Sequence, residues 1–333
     1  MDYSPYILGL DIGGTKVESV LGRLSIQSSS KALPLGNGTL YFEELDRRRI
    51  PTERHLGYEL VVEKVSEMIR SQLRDISVSL RELPVIGVGL PGTVDPKTQI
   101  MLNGNSQIFI DKNFVQDLKK ELSWSGSIYI NNDANCFAFA ELVAGCGSAY
   151  KAEFNVSTDE QVGIGIILGT GCGGGLVINR EIFSGQGGGG MEIGHSVLVH
   201  NGRECYCGRK GCAEQYLSGS GLTLSHPQKL SGPEIFRLAE QGHQECLNIL
   251  KQYKELLVEF ITNLSNIFDP HWVVLGGGLS NQDFLYQELE NQVAQKTFLP
   301  NTSPRIYKNT LGDSAGVYGA IFWANRCWQK ESR

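Results

Sequence analysis

The sequence predicts two α/β domains of related plan, and three observations carry that reading. An extended segment, a glycine turn and a second extended segment occur twice, near residue 11 and near residue 169. Each is followed by strands alternating with helices, the order that places helices over sheets. The 333 residues suit two domains at about 150 residues each. We expect a first domain over residues 1–125, completed by a C-terminal helix at 313–333. The second is expected over 126–312.

Residues 6–11 read as a short buried strand, ended by Gly13-Gly14-Thr15, and 17–24 resume an extended pattern as in a hairpin. A long loop over 25–44 and a third strand within 40–51 follow. Residues 53–75 carry Leu56, Leu60, Val61, Val65, Met68, Ile69 and Leu73 at helical spacing. A β-branched strand at 85–90 stops at Pro91-Gly92. Helices at 114–122 and 133–144 flank a strand at 127–130. The second series has a strand at 162–168, a glycine turn at 169–175 and a return strand at 176–179. Helices at 233–241 and 245–268, a strand at 273–275 and a small-residue helix at 313–323 complete the chain.

Composition narrows the function. The 30 basic and 36 acidic residues give a net charge of −6, which argues against a general nucleic-acid binder. Glycine, at 40 residues, is about 12% of the chain against a usual 7%, a sign of backbone approaching a ligand closely. The N-terminal MDYSPYILGLDIGGTK has no basic n-region, and no apolar run approaches the length of a membrane span. Eight cysteines, three of them clustered, read as reduced thiols with a metal site among them. We expect a soluble cytoplasmic protein with no nucleic-acid or membrane partner.

Several constellations carry chemistry. In Gly9-Leu10-Asp11-Ile12-Gly13-Gly14-Thr15-Lys16, glycines expose backbone N–H groups to phosphate oxygens, Thr15 can donate and Asp11 can hold Mg²⁺ through water. A tight hairpin turn with a surface lysine is the plainer alternative. The run Gly169-Thr170-Gly171-Cys172-Gly173-Gly174-Gly175 matches G-x-G-x-x-G formally. Both its flanks are extended, however, so a hairpin replaces the helix that a dinucleotide fingerprint needs. No P-loop motif occurs. Asp133, at a strand-to-helix junction after Asn132, is either an N-cap or a general base for phosphoryl transfer. His195, Cys205, Cys207 and Cys212 form a complete ligand set for a structural zinc; three free thiols and a solvated histidine are the alternative. Glu192 and Glu214 flank that cluster, as sugar-hydroxyl acceptors or as surface carboxylates. Gly276-Gly277-Gly278 is either an adenosine platform or a strand-to-helix turn.

Together DIGGTK at 11–16, GLPG at 89–92, NDAN at 132–135, GTGCGGG at 169–175, EIGH at 192–195, CYCGRKGCAE at 205–214 and LGGG at 275–278 resemble the ROK family of sugar kinases and sugar-responsive repressors. The resemblance runs from Ile7 to about Phe322. It implies an actin/hexokinase-type (ribonuclease H-like) fold with a cleft between two domains, and a possible homodimer. It implies Asp133 as catalytic base and Asn105, Asn132, Asp133, Glu192, His195 and Glu214 as sugar contacts. Gly9, Asp11, Gly13, Gly14, Thr15, Lys16, Gly169, Thr170, Gly171 and Gly173 would hold the ATP phosphates with Mg²⁺, and Gly276, Gly277 and Gly278 the adenosine. His195, Cys205, Cys207 and Cys212 would bind Zn²⁺. The expected reaction is ATP-dependent phosphorylation of a sugar 6-hydroxyl. NGNS at 103–106 and the ending GDSAGVYGAIFW favour fructose or mannose; NDANCFAFAE and LGGGLSN are equally like N-acetylglucosamine kinases, and glucokinases are close. Met191 stands where the family usually carries glycine before the sugar-binding glutamate. A sugar-sensing protein without activity is the alternative from another class.

Overall fold

The computed structural model describes residues 6–26, 32–35, 40–104, 106–299 and 302–332. The chain divides into two compact units. The first comprises Met1–Thr158, Ile182–Gly190 and Leu311–Arg333, and the second Asp159–Glu181 and Met191–Thr310.

In the first unit, β1 (Tyr6–Ile12), β2 (Lys16–Ser25), β3 (Leu33–Pro34), β4 (Tyr41–Pro51), β5 (Val85–Leu90) and β8 (Ser127–Asn132) form one sheet in the order β3-β4-β2-β1-β5-β8. β1 pairs antiparallel with β2 and parallel with β5, which pairs parallel with β8. A small antiparallel pair, β6 (Thr93–Val94) and β7 (Met101–Asn103), follows β5. The interior parallel strands β1 and β5 bury most of their residues, which explains their largely apolar sequences. α1 (Tyr58–Asp75) lays Val61, Val65, Ile69 and Leu73 into the core with α2 (Phe114–Leu122), whose Asn113 side chain caps Gln116 N–H at 3.0 Å. Next come α3 (Asp133–Ala144) and α4 (Cys146–Phe154). α3 is apolar almost all round because the C-terminal helix, Ala315–Glu331, packs on it and on β5. At Gly87 and Gly319 a Cβ would run into the backbone of Ala320 and Cys136, so only glycine allows that close approach.

The second unit repeats the plan. β9 (Val162–Leu168), β10 (Cys172–Ile178), β11 (Glu181–Ile182), β12 (Trp272–Gly276) and β13 (Arg305–Lys308) form a sheet in the order β11-β10-β9-β12-β13. Again an antiparallel pair, β9 with β10, is extended by parallel strands, β12 and β13. α5 (Glu214–Leu217), α6 (Gly219–Ser225), α7 (Gly232–Glu240), α8 (Gln244–Phe268) and α9 (Leu289–Ala294) supply its helices. α8 buries Ile249, Leu250, Leu257, Phe260, Ile261 and Leu264 in the core of this unit.

Three expectations shift. The domain boundary expected at 125/126 lies inside the first unit, because β8 completes the first sheet and α3 packs under the C-terminal helix. The helix expected from residue 53 begins at Tyr58, since Gly57 at φ 103° breaks it and leaves Arg54–Leu56 as a separate 3-10 turn. The loop expected over 25–44 is interrupted by β3, which pairs with β4; its residues 27–31 and 36–39 lie outside the described residues.

Candidate active site

In the first unit the candidate residues gather at the C-terminal ends of β1 and β8. β1 delivers Asp11, and the chain turns through residues 13–15, where Gly13 N–H donates to Lys16 O at 2.9 Å. The N–H groups of Gly14 and Thr15 have no hydrogen-bond acceptor among the described residues, so both are open to an anion. Gly9 is not part of this turn. It sits within β1 beneath Val317 and Ile321 of the C-terminal helix, so its role is packing. The first turn of that helix stands over Asp11: a Cβ at Gly316 would lie 2.9 Å from Asp11 Oδ2.

Burial, then the negative charges of Asp133 and Glu18, push the Asp11 carboxyl up to about 7; Lys16 opposes them. Glu18 is fully buried and compensated by cations. Arg47 Nη1 donates to it, Arg49 stands at 3.1 Å, and the Ser314 hydroxyl donates at 3.1 Å. Lys16 Nζ is 3.8 Å from the other Glu18 oxygen.

Asp133 begins α3, but it is not the capping residue. Asn132 is: its side-chain oxygen accepts from Ala134 N–H at 2.8 Å while its Nδ2 donates to Gly92 O at 2.9 Å. Ala134 N–H also reaches Asp133 Oδ1 at 2.8 Å. A carboxylate is thus held at a helix N-terminus, where negative charge is favoured. Its proximity to Asp11 is felt by both the Asp11 carboxyl and the buried Cys136 thiol, which burial, Asp11 and Asp133 together push up. Asn105 lies outside the described residues.

In the second unit three segments converge. The hairpin turn is residues 169–171, closed by Gly169 N–H donating to Gly171 O at 3.0 Å. Gly173 lies beyond it, in β10 opposite Ile167. Gly219 N–H donates to Gly169 O at 2.7 Å and Ser220 Oγ to Thr170 O at 3.0 Å, which brings the start of α6 against the turn. Gly276 ends β12, and Gly277, at φ 81°, presses so closely on Leu168 that a Cβ would lie 2.6 Å from its carbonyl. Gly278, with nothing within 4 Å of a Cβ placed there, opens the following 3-10 turn. Gly219 and Ser220 are additions that sequence reasoning missed; a small-residue run carries no signal of what it packs against.

Glu214 accepts the Cys172 N–H at 2.9 Å, and its Oε2 would lie 2.6 Å from a Cβ at Gly171. Glu192 is exposed and precedes the 3-10 turn Ile193–His195, whose His195 N–H donates to Glu192 O at 3.0 Å. The side chains of His195, Cys205, Cys207 and Cys212 bring one potential ligand atom each to within 4.8 Å of one another. His195 Nδ1 to Cys205 Sγ is 3.6 Å, and Cys207 Sγ to Cys212 Sγ is 3.6 Å. Two sulfurs on one tetrahedral zinc stand about 3.7 Å apart, so both the donor set and the spacing fit Zn²⁺. The loop is tightly turned: Cys205 N–H donates to Arg209 O at 2.9 Å, and Gly208 and Gly211 take positive φ. His195 Nε2, on the far edge of the ring, meets Tyr206 OH at 3.0 Å.

Residues 7–327 match the ROK family, and the chain belongs to it, among its sugar kinases. It is similar to the N-acetyl-D-glucosamine kinase of Aliivibrio salmonicida, at 34% identity over 94% of this chain and 98% of that protein. The N-acetyl-D-glucosamine kinase of Haemophilus influenzae is 33% identical over 94% of this chain and 97% of its own. Among solved structures, the ROK hexokinase of Thermus thermophilus superposes with a TM-score of 0.78 at 25% identity, covering 98% of this chain and 99% of that one. A Streptomyces griseus glucokinase, solved with glucose and AMPPNP, shares the fold at a TM-score of 0.71 and 22% identity, over 96% of this chain and 99% of its own. The fold is the two-domain actin/hexokinase type. No helix among the described residues is long and apolar enough to cross a membrane.

Proposed function

We propose that this protein is an ATP-dependent N-acetyl-D-glucosamine kinase that transfers the γ-phosphoryl group to the sugar 6-hydroxyl. The observation that carries the chemistry is the pairing of two carboxylates in one unit. Asp133 sits at a capped helix N-terminus, and Asp11 sits close enough to be electrostatically coupled to it. In this reading the pair divides the work, as neighbouring carboxylates in different environments do. Asp133 accepts the hydroxyl proton as the sugar oxygen attacks. Asp11 holds Mg²⁺ through water, and that ion neutralises charge on the phosphates when bound.

The first unit also supplies the N–H groups of Gly14 and Thr15 for phosphate oxygens, with Lys16 nearby. The second supplies the turn of Gly169, Thr170 and Gly171, with Gly277 and Gly278 for the adenosine. Glu192, His195 and Glu214 accept or donate to sugar hydroxyls, with Asn105 and Asn132 from the first unit. Zn²⁺ on His195, Cys205, Cys207 and Cys212 is structural, since four protein ligands leave no open position.

For the sugar, relatives at 31–34% identity are N-acetyl-D-glucosamine kinases, which moves that substrate ahead of the fructose or mannose suggested by sequence motifs. ADP release with MgATP, measured on N-acetylglucosamine, N-acetylmannosamine, glucose, mannose and fructose, tests this. N-acetylglucosamine should give the highest kcat/KM. A higher value with fructose or mannose would restore the alternative.

A further inference from the structure

The segment joining β4 to α1 is tied directly to the 13–15 turn. Thr52 N–H donates to Thr15 O at 3.0 Å, the Thr52 hydroxyl donates to Gly13 O at 2.7 Å, and Thr52 is buried. Two residues later Arg54 begins the 3-10 turn, after Glu53 in a left-handed conformation at φ 48° and ion-paired with Lys64. This path lays the Arg54 guanidinium over the turn. A Cβ at Gly14 would stand 3.3 Å from Arg54 Nη1 and 3.7 Å from the hydroxyl of buried Ser106.

Other cations near this turn are already matched. Arg47, Arg49 and Lys16 all face Glu18. Arg54 is exposed, and its guanidinium makes no hydrogen bond or ion pair among the described residues. It therefore presents a planar set of N–H donors beside the open N–H groups of Gly14 and Thr15, a combination suited to tetrahedral oxyanions.

We propose that Arg54 is a catalytic residue that contacts the phosphoryl group during its transfer; this rests on the kinase reading above. The bond from the γ-phosphorus to the oxygen bridging it to the β-phosphate breaks, and a bond from the γ-phosphorus to the sugar 6-oxygen forms. The hydroxyl proton passes to Asp133, and ADP leaves with the bridging oxygen and its electron pair. Arg54 donates to the non-bridging oxygens of the moving group, where charge is spread in the transition state.

The test compares wild type, Arg54→Gln and Arg54→Lys in two assays: turnover with N-acetylglucosamine, and calorimetric titration with Mg²⁺-AMPPNP and with Mg²⁺-ADP. Arg54→Gln should lower turnover on the order of 10²-fold. It should weaken AMPPNP about tenfold or more while leaving ADP within about twofold, because only the former carries the γ-group. Arg54→Lys, which keeps the charge and controls for folding, should recover part of both losses. Turnover of Arg54→Gln within about threefold of wild type would overturn the assignment, as would equal weakening of both nucleotides. A wild-type protein that phosphorylates none of the five sugars would instead overturn the kinase reading.

Discussion

The Glu214 carboxylate accepts the backbone N–H of Cys172 at 2.9 Å, joining the segment that follows the Cys205–Cys212 loop to the glycine turn at residues 169–171. A residue proposed to bind sugar thus also shapes the backbone proposed to hold phosphate. Glu214→Gln retains an acceptor oxygen and loses the charge. We expect a raised KM for the sugar with the KM for MgATP nearly unchanged. Glu214→Ala leaves the Cys172 N–H without its partner, should lose about 1–2 kcal/mol of stability, and should raise both KM values. Steady-state kinetics on the two variants separates the effects; identical behaviour would contradict the double role.

The Asp11 carboxyl, raised to about 7, gives a pH signature with a defined sign. In the unfolded chain it ionises near 3.8; in the folded metal-free protein it keeps its proton until about 7. The folded state therefore binds more protons across that window, and this group's contribution to stability falls as pH rises from about 4 to 7, then levels. Asp11→Asn removes the effect. Its thermal midpoint relative to wild type, measured without divalent cations, should become more favourable across the same interval. A constant difference from pH 4 to 8 would contradict the assignment.

If the cluster of His195, Cys205, Cys207 and Cys212 holds Zn²⁺ as proposed, elemental analysis should find about one zinc per chain. Cys212 is fully buried, so Cys212→Ser perturbs both a ligand and a packed position. Metal loss and a thermal midpoint lower by on the order of 5 °C or more are expected. Because thiols release protons on binding metal, chelators should strip the wild-type site faster as pH falls. Metal-free protein with unchanged stability would refute a structural zinc.

Met191 is buried at φ 66°, a left-handed conformation that glycine adopts without strain. Its presence there exchanges backbone comfort for core packing, since it belongs to the second unit's apolar cluster. Both Met191→Gly and Met191→Ala should destabilise, but glycine should be the better by about 1 kcal/mol. Denaturant unfolding decides the order, and the reverse order would show that the side chain, not the backbone, governs this position.

Much of this was legible in sequence because the signals are local. The repeated strand–turn–strand plan follows from apolar runs broken by glycines, and the gathering of His195, Cys205, Cys207 and Cys212 from cysteine spacing. What escaped notice depends on contacts distant in sequence. Gly316 over Asp11, Thr52 on Gly13 and Gly219 on Gly169 are brought together only by the fold. The mistaken boundary at 125/126 has the same origin: β8 follows α2 by a short link, yet sheet order is set by non-local pairing with β5. Asn132 took the capping role considered for Asp133 because its extended backbone, at ψ 145°, presents its side chain to Ala134 N–H. The glycine run at 169–175 concealed its own end, since Gly173, Gly174 and Gly175 continue as strand.

The most direct test of the account is phosphorylation of N-acetylglucosamine by wild type and Asp133→Asn, with the product identified by mass spectrometry. Sugar-induced thermal stabilisation of both proteins serves as the folding and binding control. The wild type should form the 6-phosphate. Asp133→Asn should lose turnover on the order of 10²–10⁴-fold while keeping its thermal midpoint and its response to sugar, because Asn132 still caps α3. Turnover of the variant near the wild-type rate would contradict Asp133 as the base.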